Sequence, residues 1–391
     1  MNSQNTPVHI RLWHRDFWLM AIANFLLAMS VYMLIPTMPQ WLMSTQNFSA
    51  LESGIAMGAF GVGLFALGVF VSFLVQHYRR NVVCIWAVIG VGALIALLYY
   101  LDAQRSQFCD LGLVIIQRFA LGAAFGLAQM VLTSTLIIDT SESFQRTEAN
   151  HSASWFSRFA LSLGPMSGLL LVRLLGFDVM LLSAIGCAAV AVVLIMMVHF
   201  PFRAPEDDIT VVSLDRFFLP HGFPLFVNLQ LIMLAVGILF STALTELFYA
   251  MMMVGFLGAL LAQRFVFRDA EVKSEVVSGL ILIQAALLML LTRTQQIVHF
   301  AAPAFIGFGL GLIGSRFLLF FIKLSRHCQR GTSQSTFLLG WESGIAWGLG
   351  IGLAFFSDHS HRALWVSLGL VIAALIMYNF THNWFAKHKN R

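Results

Sequence analysis

Residues 146–168 read RTEANHSASWFSRFALSLGPMSG. The stretch opens polar and closes apolar, as a loop does where it runs into a membrane-spanning helix. That helix carries an arginine, Arg158, and further along a Gly164-Pro165-x-x-Gly168 element. A charge on a lipid-spanning segment costs about 2.5 kcal/mol or more unless it faces a partner or a wet cavity. The Gly-Pro element gives the helix a thin, bendable face against a neighbour. A similar stretch recurs 184 residues later: Arg330 matches Arg146 (330 − 146 = 184), Gly348 matches Gly164 and Gly352 matches Gly168. At the same offset Glu342 falls on Arg158.

The rest of the chain supplies the setting. Of 391 residues, 59% are hydrophobic and only 10% charged, where a soluble protein carries about 25% charged residues. The composition is that of an all-α polytopic membrane protein. Twelve apolar segments stand near the ~20 residues that a spanning helix needs. They lie at 16–38, 52–76, 82–101, 109–138, 151–173, 179–200, 221–243, 246–266, 275–292, 299–322, 334–356 and 362–385. The weakest boundary separates the seventh from the eighth, where Ser241 to Glu246 leaves almost no loop. An eleven-span arrangement is therefore the main competitor. Residues 1–15 are polar and basic, and the apolar run after them is too long for a signal peptide, so it is expected to be the first span.

Lys and Arg set the expected orientation. With the N-terminus in the cytoplasm, sixteen of them fall in cytoplasmic segments (Arg79, Arg80, Arg146, Arg330 and Lys387 among them) and four outside: Arg105, Arg173, Arg293 and Arg362. That bias favours twelve spans, with both termini cytoplasmic in the inner (plasma) membrane. The net charge of +5 follows from these loops and is no sign of nucleic-acid binding. The longest polar stretch, PFRAPEDDITVVSLDRFFLPHG, divides the chain into residues 1–200, a linker at 201–220, and residues 221–391. Its SLDRFF portion suits a short interfacial helix. The repeat offset makes the halves parallel, so a substrate site is expected at their interface near mid-membrane.

Arg118, Gly122, Gly126, Gln129 and Thr133 recur at three- and four-residue steps and share one face of the fourth span. Such a face suits a bundle interior. Arg-x-x-x-Gly-x-x-x-Gly there, with Gly-Pro-x-x-Gly in the fifth span, resembles the major facilitator superfamily of secondary transporters, in its bacterial drug and metabolite exporter branch. The resemblance covers the whole chain. It implies two pseudo-symmetric six-helix bundles, a role for Arg118 in proton coupling or substrate binding, and an exporter of the antiporter type through Gly164, Pro165 and Gly168. The loop after the second span departs from the family pattern Gly-x-x-x-Asp-Arg-x-Gly-Arg-Arg: it has Ser72, then Gln76, His77, Tyr78, Arg79 and Arg80. The usual charge latch between halves is thus in doubt, and Asp139 is the acid expected near Arg79 or Arg146.

Glu342 and Arg158 sit at similar depths, so they are expected to face a central cavity and to pair when it closes. Glu342 is the first candidate for proton carrier. A purely structural ion pair is the competing reading. Arg316 either lines the cavity or snorkels to the inner surface. Glu246 reads as interfacial. Asn24 and Tyr32 in the first span, Gln129 in the fourth and Asn228 in the seventh are candidate substrate contacts, although helix packing explains Asn24 equally well. Gly122, Gly126, Gly164, Gly168, Gly348 and Gly352 are candidate packing and rocking positions. Arg118, Arg158 and Arg316 against one acid favour an anionic or zwitterionic organic substrate.

Other classes find little support. Cys84, Cys109, Cys187 and Cys328 form no CxxC pair, and no metal spacing, P-loop or nucleophile motif appears, so no metal, cofactor or enzymatic activity is expected. The expected function is proton-coupled export of a small organic molecule by a monomer working in the lipid bilayer. A nutrient or metabolite uptake symporter and a lipid or lysolipid flippase are the alternatives.

Overall fold

The computed structural model describes residues 12–103, 110–142, 144–200, 210–267, 271–326 and 329–389. Twelve helical stretches among them are long and apolar enough to cross a bilayer. The first six spans are Arg15–Ser44, Ala50–His77, Arg80–Ala103, Leu111–Asp139, Arg146–Leu175 and Phe177–Met196. The second six are Pro220–Phe240, Glu246–Phe265, Val272–Thr292, Gln296–Leu324, Arg330–Phe356 and Ser360–His388. No strand occurs among the described residues.

Local chemistry sets where these helices start and bend. The Ser49 side chain accepts from the Glu52 N–H at 3.2 Å, and Glu52 Oε2 accepts from the Ser49 N–H at 2.8 Å, a reciprocal cap for the second span. Asp110 caps the fourth span through the Gly112 N–H at 3.1 Å. The thin break after the seventh span is real: its helix ends at Phe240, and Thr245 caps the eighth. Eleven spans are thereby excluded. Gly176, at φ +102°, turns the chain between the fifth and sixth spans in a conformation that an L side chain rarely adopts. Pro36 cannot donate to the Tyr32 carbonyl, and the first span breaks at Met33, immediately after Tyr32. In the fourth span the Thr133 and Ser134 hydroxyls donate to the carbonyls of Gln129 (2.7 Å) and Met130 (2.5 Å). The helix widens there into a π turn over Leu132–Leu136.

The expected interfacial helix at SLDRFF is not formed. Residues 213–218 are a bend and turn with Arg216 at φ +58°. The Phe217 and Phe218 N–H groups close a single turn on the Leu214 carbonyl, at 3.2 and 3.0 Å, and the N–H groups of Ser213, Arg216 and Leu219 donate to the spans. Residues 201–209 of the linker, with their run of acids, lie outside the described residues.

Packing follows the repeat. The first span packs on the fifth and sixth, and the seventh on the eleventh and twelfth. The second packs on the fourth, and the eighth on the tenth; the third packs on the fourth and sixth, and the ninth on the tenth and twelfth. Between halves, the second span meets the eleventh and the fifth meets the eighth. Adding six to every number maps this set onto itself, which is the signature of a pseudo-two-fold through the middle of the bundle. Large apolar side chains such as Trp86, Ile116, Phe265 and Phe380 stand exposed on its outside, as lipid-facing positions do. One end of the bundle, the linker face, holds residues 210–219 and the beginnings of the odd-numbered spans. The other is the opposite face.

Glycine lets the backbones approach. A Cβ on Gly122 would sit 2.2 Å from the Phe60 carbonyl oxygen, and one on Gly126 2.7 Å from that of Leu64, so both seat the fourth span on the second. In the other half a Cβ on Gly307 would meet the Met252 carbonyl oxygen at 2.0 Å.

Candidate functional site

Arg118, Arg158 and Glu342 are all inside the bundle, at 4%, 2% and 4% exposure. None of them touches the lipid-facing surface. Arg158 and Glu342 each stand twelve residues past the start of their spans, about 18 Å from the linker face at 1.5 Å per residue. Their depths match as the sequence offset requires. Their partners differ from expectation. Glu342 accepts a short hydrogen bond from the Tyr32 hydroxyl, reaching across from the eleventh span to the first. Arg158 donates through Nη1 to Ser315 Oγ in the tenth span at 2.7 Å, and through Nη2 to Ser154 Oγ at 2.9 Å. Its guanidinium carbon lies 4.6 Å from the Trp155 ring centre. The two charges are thus held by neutral hydroxyls, and each reaches across between the halves.

The break at Met33 explains how Tyr32 arrives there. It lies where the first span changes course, and the glycines of the fifth span let it in. A Cβ on Gly164 would stand 2.8 Å from Tyr32 Cβ, and one on Gly168 2.6 Å from the Met33 carbonyl oxygen. Pro165 is accommodated within the fifth-span helix without ending it. The mates in the other half repeat the arrangement: a Cβ on Gly348 would meet the Leu234 carbonyl oxygen at 2.2 Å, and one on Gly352 would meet Ser241 Oγ at 2.1 Å. Gly314 does similar service beside the arginine. A Cβ there would lie 2.8 Å from Arg158 Nε and 2.9 Å from Trp341 Cζ3, which brings Arg158 near the residue before Glu342.

Arg118 extends the site along an aromatic row. Its guanidinium carbon lies 5.0 Å from the Phe60 ring centre. Phe60 and Phe125 centres are 5.8 Å apart, and Phe125 meets Tyr32 edge-on at 6.5 Å. Nε and Nη1 of Arg118 are buried without a hydrogen-bond partner, as are Arg158 Nε, Trp155 Nε1 and both amide atoms of Gln129. Buried polar groups normally find partners. These are donors and acceptors that no protein group satisfies.

Arg316 and Asp139 have partners that the sequence did not name, and two of the candidate substrate contacts bridge spans. Arg316 is held in an ion pair rather than snorkelling to the surface: its Nε donates to Glu275 Oε2 at 2.6 Å, its Nη2 donates to Oε1, and Glu275 is fully buried in the ninth span. Asp139 pairs with Arg80, a partner the sequence did not single out, and does so at the linker face, away from Glu342. Asn24 donates to Ser157 Oγ at 2.8 Å and so ties the first span to the fifth, and Asn228 donates to the Ala374 carbonyl at 2.9 Å and ties the seventh to the twelfth. Both read as packing groups, although the Oδ1 of each is unpartnered. The charge tally falls accordingly to Arg118 and Arg158 against Glu342. Glu246 pairs with Arg173 at 3.4 Å on the opposite face.

Sequence reasoning missed Glu275, Ser315 and the aromatic row. Glu275 begins an apolar run and looks interfacial. Its burial depends on the tenth span. Among the described residues no group of His, Cys, Asp and Glu could hold a metal ion.

The fold has many solved counterparts. A POT family transporter, PepTSo, superposes with a TM-score of 0.72 at 11% identity, covering 97% of this chain and 100% of that one. A mutant of the nucleoside transporter NupG gives 0.66 at 12%, covering 93% and 98%. The human organic anion transporter MFSD10 gives 0.65 at 14%, covering 92% and 98%. No curated protein sequence matches the chain. A sequence model of the Major Facilitator Superfamily matches residues 20–349, from inside the first span to late in the eleventh, and the chain belongs to that superfamily.

Proposed function

We propose that this protein is a secondary active transporter that moves a small organic anion or amphiphile by alternating access, in exchange for protons. Glu342 carries the reading. It is a carboxyl buried at mid-span between the halves, and its hydroxyl partner belongs to the other half. A carboxyl can take up and release a proton. Glu342 is a buried acid in an interior that also holds the buried guanidinium groups of Arg118 and Arg158. When the halves rock, Tyr32 and Glu342 part, and the carboxyl is offered to one face at a time.

Arg118 and Arg158 supply the positive ends that an anion needs, and their unpartnered nitrogens are the donors available to it. The Phe60–Phe125–Tyr32 row offers apolar surface for an organic body. Export is favoured by the Gly164-Pro165 element through the family resemblance. The surplus of Lys and Arg supports a reading with the linker face and both termini in the cytoplasm, and with a plasma (bacterial inner) membrane as the location. The protein works as a monomer and is not an enzyme.

The test has two steps. Purified protein is screened against organic anions by thermal shift at two pH values, since a ligand that stabilises must bind the folded state. The hit is then followed in proteoliposomes. Glu342→Gln keeps binding and substrate–substrate counterflow but loses accumulation driven by a proton gradient. Unchanged gradient-driven transport by this variant would remove Glu342 as the carrier.

A further inference from the structure

The segment after the linker's acidic run does more than join the halves. Its Ser213 N–H donates to the Val69 carbonyl of the second span at 3.0 Å. The Phe217 ring occupies the space that a Cβ on Gly68 would need, 2.0 Å from that position. Asp215 Oδ2 accepts from Ser72 Oγ at 3.4 Å, and Ser72 Oγ in turn accepts from Gln76 at 3.1 Å. Those contacts fix the segment to the first half. Arg216 adds the fourth span through Nη1, which donates to Thr135 Oγ1 in the π turn at 3.2 Å.

The same few residues also grip the second half. Thr332 Oγ1 in the eleventh span accepts from the Arg216 N–H at 2.8 Å and donates to Asp215 Oδ1 at 3.0 Å. Thr336 Oγ1 accepts from the Leu219 N–H at 2.8 Å. Phe218 packs edge-on against Phe226 of the seventh span at 5.2 Å. Arg216 takes up the left-handed backbone conformation, uncommon for a residue with a side chain. That conformation lets its N–H and guanidinium serve different halves. Beneath the segment the halves also touch directly, where a Cβ on Gly331 would stand 2.8 Å from the Ser134 carbonyl oxygen.

We propose that Ser213–Leu219 is a latch on the linker-face gate, with Asp215, Arg216 and Thr332 as its positioning residues. The loop after the second span has Gln76 in place of an acid. Asp215 supplies the carboxylate from the linker instead, docking on the hydroxyl that Gln76 holds. For the linker face to open, the fourth span must leave the eleventh, so the Thr135–Arg216–Thr332 bridge must break. The latch therefore sets how much of the time that face is closed. This inference rests on the alternating-access reading.

The main readout of its test needs neither substrate nor proton gradient. In protein whose native cysteines are replaced, Ser134→Cys reports linker-face opening through its rate of reaction with a bulky thiol reagent added at that face. A cysteine at Ser53, buried in the second span near the opposite face, reports general loosening. Thr332→Val keeps the shape and removes both hydrogen bonds. It should speed labelling at 134 by roughly fivefold or more, leave labelling at 53 unchanged or slower, and preserve the elution profile. Asp215→Asn should act in the same direction, and Thr332→Ser should restore the parent rate. Equal rates in parent and Thr332→Val, or equal acceleration at both reporters, overturns the latch. If a bound ligand still shifts labelling from one face to the other while Thr332→Val changes nothing, the latch fails and alternating access stands. If no ligand moves either reporter and Thr332→Val changes nothing, both fall.

Discussion

Arg316 and Glu275 are separated by 41 residues and by a turn of the chain, and nothing at either position announces the other. Arg316 is visible in sequence as a charge in an apolar run. Its acid is not, because Glu275 stands at the edge of a span where solvation is the ordinary explanation. Only the packing of the ninth span on the tenth joins them. A buried pair of this kind is weak evidence of stability as a unit, but removing one member strands the other. Glu275→Gln is expected to destabilise by about 3 kcal/mol, read as a lower unfolding midpoint in detergent. Glu275→Gln with Arg316→Met should recover most of the loss. A single variant as stable as the parent would show that Arg316 finds other solvation. Glu342 contrasts with Glu275: its importance is legible, because its position within a span and its offset from Arg158 are both sequence facts. Its partner is not, because Tyr32 reaches it only through the break at Met33.

At the scale of the element, glycines divide by what their missing Cβ would strike. A Cβ on Gly168 would stand 2.6 Å from the Met33 carbonyl oxygen, and the displacement needed to seat a methyl there would push the first span off the fifth. Gly168→Ala should cost about 1–3 kcal/mol, the usual penalty of overpacking. Gly186 and Gly369 have nothing within 4 Å of the Cβ position. Alanine at either should leave the fold intact and add roughly 0.5–1 kcal/mol by removing backbone freedom from a helix interior. Three unfolding midpoints check this, with Gly168→Ala below the parent and the other two at or above it; the reverse order would refute the packing account. The sequence offset groups Gly164, Gly168, Gly348 and Gly352, and each of the four has a residue of another span or its cap within 3 Å of its Cβ position. It does not say that the first and seventh spans are their neighbours, because a repeat fixes equivalence and not adjacency. SLDRFF fails as a helix for a related reason. Its apolar–charged pattern suits an interfacial helix, but Thr332, Thr336 and Ser72 offer its backbone and Asp215 better partners in trans.

The whole molecule is joined at both faces, by different pairs of spans. On the opposite face the fifth and eighth spans meet through Arg173 and Glu246, and the second and eleventh through Gly54, whose Cβ position is 2.5 Å from the Gly350 carbonyl oxygen. On the linker face the π turn of the fourth span meets the start of the eleventh. A cycle that opens one face at a time must break each set in turn, so a covalent tie on either face should stop it. A Cβ on Gly331 would lie 3.3 Å from Ser134 Cβ and 2.8 Å from the Ser134 carbonyl oxygen. The cysteine pair there needs a small shift to reach the ~3.8 Å of a disulfide. Arg173→Cys with Glu246→Cys, joined by a short bifunctional reagent, ties the opposite face. In a background without native cysteines, either tie should abolish net transport of the screened ligand, and cleaving the tie should restore it. The linker-face tie should still leave ligand binding from the opposite side, because that gate remains free to open. Undiminished transport with both faces tied would mean a fixed pathway through the bundle. The matched burial of Arg158 and Glu342 would then describe a static lining and not a moving gate.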